Sequence, residues 1–313
     1  MMDPLSDVLR VLDARAALST GLAAGGAWSV GVGRYAGLKF NAVLQGEAWL
    51  RCGEGAPLRL RAGDCFMLAG GRPFVVASDP DLAPVDAGIV FAGAQGGVAR
   101  IGAGDEVRIL GGRMLLDPAL APLLTEALPE VVLLDGAGSA AATVRWLLER
   151  LQAESGAGAP ASNVVQGHLT GMLFVELMRA AALDAAARPG LFGALADARI
   201  ARALAAMHRA PALAWTVESL AAEAHMSRSN FAARFRQLAG VAPLDYLRRW
   251  RLCLAERALR AGGVPVAAAA ALAGYGSESA FGYAFRRAFG RSPRRYAGAA
   301  DAQGSVRASI RES

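Results

Sequence analysis

Cysteine and histidine are scarce in this chain. Three Cys (Cys52, Cys65 and Cys253) in 313 residues are widely spaced and odd in number. That excludes a disulfide framework and favours a reducing compartment, here the cytoplasm. Three His (His168, His208 and His225) all fall after the β-rich stretch described below. No apolar run reaches membrane-spanning length without a charge or a Gly/Pro interruption, so no membrane partner is expected. The opening residues, MMDPLSDVLRVLD, lack a basic segment followed by an apolar run, so no signal peptide is expected. There is no nucleophile elbow, no P-loop and no glycine-rich dinucleotide fingerprint after a strand. No catalytic residue, metal or cofactor is therefore assigned, and the chain is not expected to be an enzyme.

What is present is apolar and unevenly charged. Hydrophobic residues make up 54% and charged residues 19%, enough for packed cores over about two domains. The net charge of +6 hides a division. Residues 199–298 carry 16 Arg, no Lys and five acids, a net +11, whereas residues 1–198 carry 15 basic against 20 acidic residues, a net −5. A basic C-terminal domain suited to a polyanion, joined to an acidic domain with another task, is the reading this supports.

Short apolar stretches separated by Gly, Pro and Asp turns over 28–135 predict strands of a barrel or sandwich. Helical periodicity begins near 139, with Val144, Leu147, Leu148 and Leu151 on one face. A second helix, 163–183, is apolar on both sides. Val165, Leu169 and Met172 fall within about 60° of one another, while Phe174 and Met178 project oppositely. A helix apolar on two sides is buried on two sides, so Phe174 and Met178 are expected to form a homodimer interface. Residues 183–189 read as a linker.

The basic region contains a repeat. SRSNFAARFRQLAGVAPLDY (227–246) and SESAFGYAFRRAFGRSPRRY (277–296) coincide at eight positions at an offset of 50, which marks one supersecondary unit used twice. Ser227 and Ser277 are N-caps. Phe231, Phe235 and Leu238 share one helix face, as do Phe281, Phe285 and Ala288. Gly240 and Gly290 stop the helices. A shorter helix precedes each, Val217–Ala224 capped by Thr216 and Val266–Ala273. Leu252, Ala255 and Leu259 line a connecting helix. Short helix, tight turn, capped helix is the helix-turn-helix pattern. Opposite the Phe stripes lie Ser229, Ala233 and Arg236, then Ser279, Tyr283 and Arg286, with Arg287 at the edge. A major groove admits such a helix and exposes base edges to it. Arg248, Arg249, Arg251, Arg291, Arg294 and Arg295 flank the helix ends for phosphate contact.

GYGSESAFGYAFRRAFGRSPRRY, Gly274 to Tyr296, resembles the C-terminal signature of the AraC/XylS family of bacterial transcription regulators. Met226-Ser227 through Phe235-Arg236 resembles the first recognition helix, and Arg251-Leu252-x-x-Ala255 the connecting helix. More weakly, LKFNAVLQGEAWLRC, LRAGDCFMLAGGRPF with its Gly63-Asp64 turn, and the segment after residue 108 resemble the cupin-type sensor domain of one subgroup. The resemblance implies an α+β chain of two domains. These are a cupin-like β-barrel sensor (1–135) followed by a helical dimerisation and linker region (136–190), then an all-α double helix-turn-helix domain (191–298, units about 213–240 and 264–290) and a flexible tail (299–313). It implies binding to double-stranded DNA near promoters, with RNA polymerase as a further partner, activating or repressing according to the site. DNA contacts fall on Arg228, Ser229, Asn230, Ala233, Arg236, Ser279, Tyr283, Arg286, Arg287 and Arg294. A small-molecule effector is expected near Asn41, Trp49, Phe66 and Phe74.

This chain departs from the family at several places. Asn41 and Phe74 stand where subgroup members often have His, and the β region has no His at all, which argues against a cupin metal enzyme. Ala233 and Tyr283 stand where Arg is frequent. His225 stands where Gly is usual, at a place where a positive φ would strain it. Two alternatives are a cupin-like enzyme fused to a DNA-binding module and a ligand-independent regulator whose β-domain is structural.

Overall fold

The structure, a computed structural model, describes residues 4–12, 14–18, 21–95, 97–116, 121–125, 128–138, 140–157, 160–184, 190–262 and 264–296. The expected tail (299–313) and most of the expected linker lie outside them. Two compact units emerge, one within Asp13–Ala187 and one combining the described parts of Met1–Leu12 and Arg188–Ser313.

Helix α1 (Pro4–Val11) opens the chain. Strands β1 (Arg15–Leu18), β2 (Gly21–Gly25), β3 (Ser29–Val32), β4 (Leu38–Gln45), β5 (Glu47–Cys52), β6 (Leu58–Arg61), β7 (Cys65–Leu68), β8 (Phe74–Ala77) and β9 (Val85–Asp86) follow. Then come α2 (Ala87–Ala92), β10 (Val98–Gly102), β11 (Val107–Leu115), α3 (Pro122–Thr125), β12 (Val131–Leu134), α4 (Ala141–Ala157) and α5 (Ser162–Asp184). A seven-stranded sheet runs β10-β2-β11-β4-β7-β12, with β1 also paired to β11, and a five-stranded sheet runs β6-β5-β8-β3-β9. Among the described residues neither sheet closes on itself, and of the barrel or sandwich that the strand pattern allows the structure takes the two-sheet sandwich. Leu22, Val43, Phe66 and Ile109 of one sheet meet Val30, Leu50, Leu60 and Val76 of the other in a single apolar core.

The larger sheet is buried on both faces. Along β4, Val43 belongs to the inter-sheet core, so Lys39 and Asn41 face the same way by the two-residue period of a strand. Leu38, Phe40 and Ala42 are fully buried on the other face, where α5 packs across β1, β7 and β12. Phe40 crosses β11 at Gly112; a Cβ there would stand 2.0 Å from its ring. The Gly63-Asp64 turn is tied down in turn, because Asp64 accepts from Arg61 N at 2.8 Å and from Gly136 N at 2.9 Å.

The face expected to hold a partner subunit is covered within the chain. Phe174 is 2% and Met178 0% exposed, together with Leu173 and Leu177, whereas Met172 is 49% exposed. The helix turns its Phe174–Met178 side inward, which leaves those two residues no surface for a second copy.

The second unit is all helix: α6 (Leu191–Ala196), α7 (Ala198–Arg209), α8 (Val217–Glu223), α9 (Arg228–Ala239), α10 (Pro243–Ala261), α11 (Val266–Leu272) and α12 (Glu278–Phe289). Helix α1 packs on α7 and α10 of this unit. The first residues, assigned from sequence to the sensor, therefore fold with the C-terminal helices. The reason is physical: Val8, Val11 and Leu12 form an apolar stripe that must be covered.

Candidate nucleic-acid interface and sensor cavity

Each helix-turn-helix is built from the same parts. In the first, Thr216 and Ser219 form a reciprocal capping box on α8. Ser227 caps α9 and Gly240 ends it at φ 73. In the second, Ser277 caps α12, accepting from Ala280 N at 3.2 Å, and Gly290 ends it at φ 69. Phe231 and Phe235 are fully buried with ring centroids 5.6 Å apart and planes at 59°; Phe281 and Phe285 repeat this at 5.3 Å and 58°. Tyr246 lies edge-on to Phe235 at 5.9 Å, and Tyr296 lies edge-on to Phe285 at 5.3 Å. Residues fifty apart in sequence thus hold two recognition helices in the same local frame. One member of the stripe was misplaced: Ala288 is exposed, and Phe289 packs on the second core instead.

The opposite faces are free. Arg228, Ser229, Asn230, Ala233 and Arg236 on α9 are exposed, as are Ser279, Tyr283, Arg286 and Arg287 on α12 and Arg294 beyond it. Tyr283 is 73% exposed, an aromatic left in water at the centre of the helix face. Not every arginine is available. Arg251, expected at a phosphate, donates to Pro211 O and Leu213 O at 2.6 Å each, so it ties α10 to the α7–α8 connection. Arg248 pairs with Asp245 at 3.0 Å. Arg234 is held by Asp197, the N-cap of α7, at 3.0 Å.

Sequence reading missed a buried polar cluster in this unit. His208 on α7 shares a hydrogen bond with the Tyr246 hydroxyl at 2.8 Å, stacks on Trp250 at 3.9 Å, and has Asp7 of α1 3.7 Å from its Nδ1. Burial pushes its pKa down to about 4. The turn residue His225 takes φ 51, the left-handed conformation its place in the turn predicts.

In the sandwich, Asn41 and Phe74 line a cavity of about 260 Å³ between the sheets, with Leu22, Val30, Val76 and Ile109 among its walls. The other two effector candidates do not line it. Phe66 is fully buried core, and Trp49 faces away from the inter-sheet core, since its neighbours Ala48 and Leu50 point into it. The β-region thiols are poorly ionised: burial raises Cys52 to about 11 and Cys65 to about 12. Among the described residues no three His, Cys, Asp or Glu side chains gather as a metal site requires, and no helix is long and apolar enough to cross a membrane.

A cupin sandwich and a duplicated, basic helix-turn-helix unit in one chain define the class of DNA-binding transcription regulators. Family models agree on both parts, a cupin over residues 3–183 and a helix-turn-helix domain over 220–299. The chain belongs to the AraC-like transcription regulators. It is 42% identical over 297 residues to a protein of Streptomyces lividans named as an AraC-like transcription regulator, covering 94% of this chain and 98% of that one. It is 30% identical to the transcriptional regulator AlkR of Acinetobacter baylyi, covering 81% and 85%. Among solved structures, the DNA-binding domain of AdpA in complex with a target DNA is 38% identical over 33% of this chain and 93% of that chain, with a TM-score of 0.31.

Proposed function

We propose that the protein is a dimeric, sequence-specific regulator whose hold on an operator is set by a small molecule bound in the sandwich. The observation that carries the DNA reading is the matched presentation of α9 and α12, whose Phe–Phe–Tyr clusters turn the same helical positions outward. In this reading Ser229, Asn230, Ala233, Arg236, Ser279, Tyr283, Arg286 and Arg287 face base edges, and Arg228 and Arg294 neutralise phosphates. Bound beside a promoter, the protein meets RNA polymerase, and the position of the site sets the sign of regulation. The lined cavity favours ligand control over a purely structural sandwich. Dimerisation moves to the exposed apolar residues of the helical pair, Trp146 on α4 with Val164 and Met172 on α5.

The test uses an operator selected from random DNA. Arg236→Ala and Arg286→Ala should each weaken operator binding by about 1–3 kcal/mol and relax preference at their own positions. Equal loss on random DNA would reduce both to phosphate contacts. Met172→Asp should shift sedimentation from dimer to monomer; an unchanged dimer removes that interface.

A further inference from the structure

Thirty-two of the 33 cationic side chains are arginine, and the one lysine is Lys39. It stands on β4 opposite Leu68 and Arg113 and lines the inter-sheet cavity. Its ammonium lies 5.3 Å from the centroid of Tyr35 and 5.9 Å from that of Phe74. Two aromatic faces hold a cation without neutralising it. Among the described residues no carboxylate pairs with it. Burial and the neighbouring Arg113 both pull its pKa down, so its charge is stressed where it sits.

Two residues further along the same face, Asn41 Nδ2 is enclosed and has no hydrogen-bond partner. A buried donor left unpaired carries an uncompensated desolvation cost. Opposite Asn41 on β11 stands Gly111, which adds no side chain to the space. Two unanswered donors, one of them charged, thus face one chamber whose other walls are mainly apolar. Alternate residues on a strand point to the same face with Cα atoms roughly 7 Å apart, so both side chains border the same cavity.

We propose that this cavity binds a small organic monocarboxylate, one oxygen accepting from Lys39 Nζ and the other from Asn41 Nδ2, with an apolar body against Leu22, Val30, Val76 and Ile109. The Lys39 ammonium answers the carboxylate's negative charge. A polyol would leave hydroxyls facing Val and Leu. A volume of about 260 Å³ is below the usual range for drug-sized ligands and limits the body to a single ring or a short chain. This assignment rests on the effector reading above and names the chemistry of that effector.

The experiment measures binding to the full chain without DNA, so its outcome does not depend on the operator. Benzoate and hexanoate are titrated calorimetrically against benzamide and hexanamide, neutral partners of the same shape. At least one carboxylate should bind, and its amide about tenfold or more weaker. Lys39→Met should abolish that preference, and Asn41→Leu should weaken the carboxylate. With a single side-chain amine in the chain, acylation of Lys39 read by mass spectrometry should be slowed by the bound carboxylate. No binding by either carboxylate at millimolar concentration, amides binding equally well, or unchanged binding in Lys39→Met overturns the proposal. If an amide binds equally well and also shifts operator affinity, the carboxylate assignment falls while small-molecule control stands.

Discussion

The two helix-turn-helix units share a design and differ in their surroundings. Their Phe pairs and terminal glycines are closely alike in geometry, and each helix starts on a serine cap, Ser227 at φ −67 and Ser277 at φ −150. Yet α8 starts in a capping box, whereas α11 starts after Pro265 with no side-chain cap. The first core gains Ile200, Leu204 and Met207 from α7; the second is closed by Ala269, Ala270 and Ala273. The turn differs too, with His225 at φ 51 in the first and Gly274 at φ 76 in the second. The repeated residues therefore fix how a recognition helix is presented, and the unrepeated ones set how firmly each unit is held. The exposed faces also diverge: a methyl at Ala233 matches a phenol at Tyr283.

Four perturbations sharpen this contrast, taken from the largest effect to the smallest. Phe231→Ala and Phe281→Ala each empty a fully buried site and should cost about 3–5 kcal/mol in denaturant unfolding. If one is nearly neutral, the cores are not equivalent.

The second is a pH effect at His208, buried on α7, which packs against the first unit. Its folded pKa is lowered from 6.5 to about 4, so the unfolded chain binds the proton more readily. The stability this lends is full above about 6.5 and is lost as pH falls toward about 4, up to about 3 kcal/mol by linkage. His208→Gln should flatten that part of the pH–stability curve; an unchanged curve would show that His208 is not the source.

Third, Gly274→Ala forces a side chain into left-handed backbone with its Cβ 2.9 Å from Arg251 Nη1, and should cost about 1–2 kcal/mol. Fourth, and smallest, His225→Gly should relieve the same conformation in the first unit and stabilise it by less than about 1 kcal/mol. A loss of stability there would mean that His225 makes contacts worth more than its strain.

The legible parts of this fold are those with local periodicity. The 50-residue repeat and the caps at Ser227 and Ser277 follow from spacing and turn chemistry, and the positive φ at His225 from the family resemblance, which puts Gly at that place. The sensor was legible as the strands of a barrel or sandwich but not in its strand order, because that depends on pairings far apart in sequence. Trp49 was misread for a related reason, whereas Phe66 does face the inter-sheet core opposite Asn41 but does not line the cavity. Aromatic type marks burial, but only register says which face of a sheet a residue takes. Phe174 and Met178 failed because a helix laid on a sheet buries a broad face within one chain. Lys39 passed unnoticed in sequence, since a lone cation on a strand ordinarily faces water. The α1 and His208 cluster joins residues some 200 positions apart, which no local pattern reports.

The central claim is that both recognition helices read DNA at once. Hydroxyl-radical footprinting on a selected operator, with wild type, Arg236→Ala and Arg286→Ala, measures it directly. The expected result is a pair of protected major-groove segments about 34 Å apart for each protomer, with each variant weakening only its own segment. A single protected segment per protomer, indifferent to Arg286→Ala, would contradict it.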